Sequence, residues 1–306
     1  MTSATVPLRS SANRKRLKAI GTMTAAVFFF SLLDAGLKHL ATTLPPLEVM
    51  CLRGAASLPF LFASVAWTRS WRELRMHRPI LYVLRGVLGL FVLGTFIFAV
   101  SLQSLSYTYA IFMSAPLLVA GLAGPMLGEK VPLRRWAAIA VGFIGVLIAL
   151  KPSGGFVALG GIVAAVSAVG YAVNVMAVRL IGRTDSNYAV VTWHLVFVTL
   201  VAAAIAAPGW RPIPLEQLPW ILLCGFTGAL AQYLFTAAFR LAPAATIAPF
   251  EYTALLWGVG LDWLVFSTVP YARVLLGGAV VIASGLFVIW DERQAGQEHI
   301  PDVPPP

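Results

Sequence analysis

Ten apolar runs, each about long enough to cross a ~30 Å hydrocarbon core, take up most of this 306-residue chain. They cover residues 19–40, 47–67, 79–102, 106–128, 134–151, 157–179, 187–207, 218–240, 243–266 and 271–290. Between them stand turn-forming stretches such as Pro45-Pro46, Pro152-Ser153-Gly154-Gly155, Asp185-Ser186-Asn187 and Pro208 to Pro214. In lipid the backbone must satisfy its own hydrogen bonds, so runs of this length fold as helices. Composition agrees: 59% of residues are hydrophobic and 11% charged, whereas a soluble domain carries about 25% charged residues. The mean hydropathy of +0.85 excludes an ordinary globular protein. The expected fold class is an all-α membrane protein with ten transmembrane helices.

The ends of the chain are polar. Residues 1–18 form a tail closing on Arg14, Lys15, Arg16 and Lys18, and residues 291–306 form a Pro-rich tail with too little apolar content to fold. The first apolar run carries Asp34 and no small-residue cleavage site, so it reads as a retained helix rather than a signal peptide. Cytoplasmic loops accumulate Lys and Arg. With the N-terminus inside, sixteen of the 22 basic residues fall on the cytoplasmic side and four (Lys38, Lys151, Arg211 and Arg273) outside. Both termini are therefore expected in the cytoplasm, and the chain in the cell inner membrane as a multi-pass protein. The net charge of +10 is spread over short loops, which excludes a nucleic-acid partner. Cys51 and Cys224 lie inside apolar runs and form no disulfide framework.

An internal repeat emerges when the chain is shifted by 139 positions. The frame pairs Leu84 with Leu223, Gly86 with Gly225, Gly89 with Gly228, Phe96 with Phe235, Gly121 with Gly260 and Arg134 with Arg273. In all it gives fourteen identities between positions 84 and 147 and their counterparts, without a gap. Five crossings per half is an odd number, so the halves insert upside down relative to each other. Inverted repeats of this kind build secondary transporters, with the substrate site near the midplane. The expected units are residues 19–151 and 156–290.

Enzyme signatures are missing: no CxxC, HExxH, GxSxG or GxxxxGK[ST] string occurs, and Gly124 to Lys130 lacks the phosphate-loop spacing. No enzyme activity, cofactor or metal is expected, and transport uphill would draw on an ion or substrate gradient. Ionisable residues inside spans mark pathways by default. Counting ~1.5 Å per residue, Arg85 lies about 9 Å, His194 about 10 Å and Glu251 about 12 Å from the cytoplasmic face. Asp34 and Arg53 lie about 9 Å from the outer face by the same count. One reading makes Arg85–Glu251 and Asp34–Arg53 permanent ion pairs that position helices. The other makes them groups that contact a charged substrate or proton and exchange partners between inward-open and outward-open states. Lys38 stands close enough to the outer end to snorkel.

Pro116 interrupts the fourth span and Pro249 the ninth, equivalent helices in the two halves. Each frees a carbonyl one turn back, and paired broken helices point to a transporter site. Tyr109, Ser114, Tyr252 and Thr253 stand beside the breaks. Trp193, Tyr233, Tyr252 and Trp257 sit well inside spans and suit a planar or cationic ligand. Gln232 and Asn174 are further polar candidates, either for a ligand or for tying helices together. Gly86-Gly89, Gly121-Gly124 and Gly142-Gly145 are read as close helix packing.

The string LGEKVPLRRWAAIAVGFIGVLIALKP (Leu127 to Pro152) resembles the end of an EamA repeat of the drug/metabolite transporter superfamily. APFEYTALLWGVGLDWLVF (Ala248 to Phe266) resembles the same place in the second half. The family pattern has a glycine–glutamate step before the last helix of each repeat; the first half keeps it as Gly128-Glu129, and the second has Ser267-Thr268. The resemblance spans about residues 19–290 and implies a ten-helix metabolite carrier with a central cavity. Glu129 is read as a helix-end residue. The opening FSLLDAGLKHL (Phe30 to Leu40) with Arg85-Gly86 also resembles bacterial carriers of S-adenosylmethionine, riboflavin or amino acids.

These readings converge on a carrier that moves a small amphipathic or zwitterionic metabolite, such as an amino acid or amine, by alternating access. A larger planar metabolite, or a lipid-linked substrate handled by a flippase on the same fold, is the alternative. The expected substrate or coupling-ion residues are Asp34, Arg53, Arg85, Ser114, His194, Gln232, Glu251 and Tyr252. Partners are the small-molecule substrate and the lipid bilayer, and a homodimer is compatible with the sequence.

Overall fold

The computed structural model describes residues 7–127, 132–150, 156–181, 185–241 and 248–297, which contain helices and no strand. Eleven α-helices follow in chain order: α1 (Pro7–Leu40), α2 (Pro46–Thr68), α3 (Pro79–Leu102), α4 (Leu105–Phe112), α5 (Ala115–Leu127), α6 (Leu133–Leu150), α7 (Phe156–Ile181), α8 (Asn187–Ala206), α9 (Leu218–Leu241), α10 (Ala254–Leu264) and α11 (Ala272–Gln297). A 3₁₀ turn, Ala248–Thr253, leads into α10. Six stretches among the described residues are long and apolar enough to cross a membrane, and three shorter apolar helices accompany them. The protein is a multi-pass membrane protein.

Local chemistry sets the helix boundaries. Pro46 and Pro79 open α2 and α3, where a missing amide donor costs nothing. Ser104 and Ser186 cap α4 and α8, accepting from the amides of Tyr107 and Ala189. Arg69 closes α2 in the left-handed region at φ 55°. The fourth span breaks between α4 and α5 at Met113 and Ser114, just before Pro116. In the described part of the ninth span a 3₁₀ turn, Ala248–Thr253, contains Pro249. The sequence places helix interruptions at these two prolines; the one at Pro116 is present, and the residues just before the Pro249 turn lie outside the described residues.

Two boundaries differ from the sequence reading. Helix α1 starts at Pro7, so the basic stretch before residue 19 continues into the first span as helix. Helix α11 runs to Gln297, beyond the 291 limit, and Asp291 within it is buried and paired with Arg134. The Gly128-Glu129 step and the last residues lie outside the described residues.

Packing follows a regular scheme. Helix α1 lies on α9, α3 on α7, α2 on α8, α4 on α10 and α6 on α11. Where α6 crosses α11 the backbones meet at Gly145 and Gly277, and a side chain on either would strike the other helix's main chain. Such close approach replaces the hydrophobic drive that lipid does not supply. One apolar core surrounds α4 and α10 through Phe96, Leu105, Ile111, Leu117, Leu255 and Val281. A second joins α1, α2, α8 and α9 through Leu33, Leu37, Met50, Val198 and Ile221. Ile80, Leu200, Leu256, Trp263 and Leu276 point outward, as a lipid-facing surface requires.

Candidate functional site

Asp34 on α1 is half-buried and accepts a 2.6 Å hydrogen bond from the Tyr109 hydroxyl on α4. Arg53, on α2, feels the charge of Asp34 without a direct ion pair, and its Nε has no hydrogen-bond partner. His194 on α8 lies within electrostatic range of both Arg53 and Arg85. It packs against Gly89 of α3, where a larger residue would collide with the imidazole. Its Nδ1 is likewise without a partner. Arg85, on α3 and 8% exposed, donates to the Val190 carbonyl of α8 while its Nε stays unbonded. Asp34, Arg53, His194 and Arg85 thus form one electrostatically linked series across α1, α2, α8 and α3. The sequence divides them into an inner set and an outer pair; His194 joins the two levels.

Glu251 stands apart from that series. It sits in the 3₁₀ turn, half-buried, with Tyr171 of α7 and Tyr252 as its charged-range neighbours. No ion pair joins Glu251 to Arg85, so the permanent pair weighed in the sequence reading is not formed. Arg85 turns to the Val190 carbonyl of α8, whereas the groups within electrostatic range of Glu251 are Tyr171 of α7 and Tyr252. Tyr171 and Tyr252 lie near Glu251, and further ring contacts stand on the neighbouring helices. Phe112 meets Tyr171 at 5.3 Å, Phe28 meets Trp257 at 4.9 Å, and the Tyr252 hydroxyl and Trp257 Nε1 are buried without hydrogen-bond partners.

The remaining predicted residues divide. Ser114 is buried and donates to the Ile111 carbonyl at 2.7 Å, closing the break between α4 and α5. Gln232 is half-buried on α9, and Asn174 on α7 keeps an unbonded Oδ1. Trp193 donates its Nε1 to the Leu74 carbonyl, so it ties the α2–α3 connection to α8. Tyr233 is 52% exposed and faces away from these groups.

Sequence reasoning overlooked several acidic residues that the fold buries, Asp262, Asp185 and Asp291 among them. Asp262 on α10 is fully buried and accepts from the amides of Leu105 (3.0 Å) and Ser106 (2.7 Å), from the Ser106 hydroxyl (2.6 Å), and from Lys38 Nζ (3.2 Å). Lys38 therefore does not snorkel to the interface: its ammonium turns inward to Asp262 and lies 4.3 Å from the Phe266 ring centroid. Asp185, read as a turn residue, accepts from the His77 backbone amide and from the Tyr82 hydroxyl at 2.7 Å, and pairs with His77 Nδ1 at 2.9 Å. Asp291 receives Arg134. Asp262 carried a usable signal, since a carboxylate within an apolar run needs a partner.

A family profile described as the EamA-like transporter family matches residues 17–151 and 158–290. A riboflavin transporter of Vibrio cholerae is 32% identical over 193 residues, covering 62% of this chain and 64% of that protein, just under two thirds of its length. An S-adenosylmethionine uptake transporter of Rickettsia bellii is 26% identical over 281 residues, covering 92% and 96%. A pseudopaline exporter of Pseudomonas aeruginosa is 28% identical over 272 residues, covering 85% and 91%. A crystal structure shares the fold at a TM-score of 0.61 and 18% identity, over 92% of this chain and 97% of the other.

Proposed function

From the premise that the chain belongs to the EamA-like transporter family, we propose that it is a secondary carrier for a small zwitterionic or amphipathic metabolite, working by alternating access. One observation carries the choice of substrate class. Arg85 and Glu251 are opposite charges within the bundle, and among the described residues neither has an ionic partner. A charge left uncompensated in a membrane interior costs several kcal/mol, and two static groups would lower that cost by pairing. Held apart, they suit the two ends of one ligand, an anionic end at Arg85, His194 and Arg53 and a cationic end at Glu251. The rings of Phe28, Phe112, Tyr171 and Trp257 would wall the cationic end.

The same rings favour a second reading, a larger planar metabolite. The S-adenosylmethionine and riboflavin carriers among the relatives make both compounds first choices for a screen. Alternating access is supported by the internal repeat and by the packing scheme. Exchanging the two five-helix units maps the α1–α9 contact onto the α7–α3 contact and returns α2–α8 and α6–α11 to themselves. Inverted insertion of the two units, with both termini on the cytoplasmic side of the inner membrane, follows from the odd crossing number and the Lys/Arg bias.

Purified protein in proteoliposomes with an imposed pH gradient, offered S-adenosylmethionine, riboflavin and amino acids in turn, tests the reading. Saturable flux of one of them is expected. Glu251→Gln should abolish or uncouple that flux while leaving membrane expression intact; full pH-dependent activity in this variant would remove Glu251 from the mechanism.

A further inference from the structure

We infer that Lys38, Asp262 and the start of α4 form a releasable latch that holds one end of the bundle shut and reports on the state of Asp34. The inference rests on the transport reading above. The Asp262 carboxylate sits on α10 and takes two consecutive amides of α4, the Ser106 hydroxyl and the Lys38 ammonium of α1, so three helices from both halves of the chain meet on one side chain. A fully buried carboxylate is tolerable only while such donors surround it. When they withdraw, water must replace them. The group therefore has two satisfied situations, one closed and dry, one open and wet, which is what a switch between two arrangements needs.

Helix α4 is built to move as a unit. It runs only from Leu105 to Phe112 and ends at the break before Pro116. Ser104 caps its first turn from within, so its helical form does not depend on Asp262 alone. Three residues into the helix from Ser106 stands Tyr109, whose hydroxyl holds Asp34 at 2.6 Å and whose ring lies against Gly258 of α10. The connections form a closed ring: α1 through Lys38 to α10, α10 through Asp262 to α4, and α4 through Tyr109 back to α1 at Asp34. A ligand or proton that engages Asp34 competes with Tyr109, loosens α4, and withdraws donors from Asp262. Asp262 is thus a positioning residue, acting on the site through α4.

A thiol-accessibility experiment tests this. In full-length protein with Cys51 and Cys224 replaced by Ala, Phe112→Cys at the inner end of α4 serves as the reporter. A membrane-impermeant thiosulfonate reagent is applied separately to right-side-out and inverted vesicles. With the latch intact, labelling from the α1 C-terminal face should be slow. Asp262→Asn should raise that rate about tenfold or more, because the charge-assisted bonds it removes each correspond to roughly that factor in an equilibrium constant. Labelling from the opposite face should fall. Lys38→Met and Ser106→Ala, which leave the carboxylate in place, should give smaller rises and carry the test if Asp262→Asn fails to fold. Labelling rates unchanged from both faces in the well-folded variants would overturn the latch. Flux measured in parallel on wild-type protein, with Phe112, Cys51 and Cys224 in place, separates the two claims: altered accessibility in the variants with no flux of any offered substrate by the wild type would leave the latch standing and refute the carrier reading, and wild-type flux with unaltered accessibility in the variants would do the reverse.

Discussion

Replacing Arg85 by Met should make the substrate-free protein more stable while destroying its transport. The side chain is 8% exposed, makes one hydrogen bond, to the Val190 carbonyl, and leaves Nε unbonded. An arginine at the centre of a membrane helix costs about 2.5–3.5 kcal/mol on insertion scales, and less at the depth of Arg85. An unsatisfied buried donor adds about 1–3 kcal/mol. Against this, methionine forfeits one charge-assisted bond of about 1.5–3 kcal/mol. It leaves no orphan behind, since Val190 lies in the helical run of α8. Methionine also keeps most of the apolar stem that packs between α3 and α8. The balance is a gain of about 1 kcal/mol, which for a chain of this size raises the melting temperature by roughly 1–2 °C. Thermal unfolding in detergent without substrate, alongside flux in proteoliposomes, reads both effects. A variant that melts several degrees lower than wild type would refute the reasoning, because it would mean that the guanidinium holds the fold together.

Two further outcomes follow from local geometry. Ser267 adopts φ 50°, the left-handed region that favours glycine, so Ser267→Gly should stabilise the protein by about 1 kcal/mol, seen as a higher melting temperature with unchanged flux. Tyr109→Phe removes the hydroxyl bonded to Asp34; it should destabilise by about 1.5–3 kcal/mol and lower substrate affinity, measured by binding and melting on the same sample.

Much of the architecture is legible in the residues because lipid enforces it. Apolar runs of spanning length have few alternatives to helix, and Pro116 marks the interrupted fourth span without any knowledge of packing. The same holds for Asp34, Arg53, Arg85, His194 and Glu251, which are conspicuous because charge is rare at that depth. What the sequence leaves open is helix rotation. Depth along a helix is counted directly, but its facing direction is set by neighbours far away in the chain. Arg85 and Glu251 therefore look like partners at one level and are not. Lys38 looks like a snorkelling residue, yet its ammonium pairs with Asp262, 224 positions along the chain. Asp262 in turn seems a minor residue near a span end until α10 packs on α4 and supplies its donors. The Ser267-Thr268 step is instructive in another way. It departs from the family's glycine–glutamate pair, yet Ser267 takes up the left-handed backbone that a glycine would adopt with less strain.

The most direct test of the account pairs ligand chemistry with protein charge. Once flux identifies a transported zwitterion, the binding affinities of that compound, its carboxyl ester and its deaminated analogue should be compared in purified wild type, Arg85→Met and Glu251→Gln protein. The account predicts that the ester, which lacks the anionic end, loses nothing further when Arg85 is removed, and that the deaminated compound is equally indifferent to the loss of Glu251. Both analogues responding to both substitutions as the parent zwitterion does would contradict the assignment of Arg85 and Glu251 to opposite ends of one ligand.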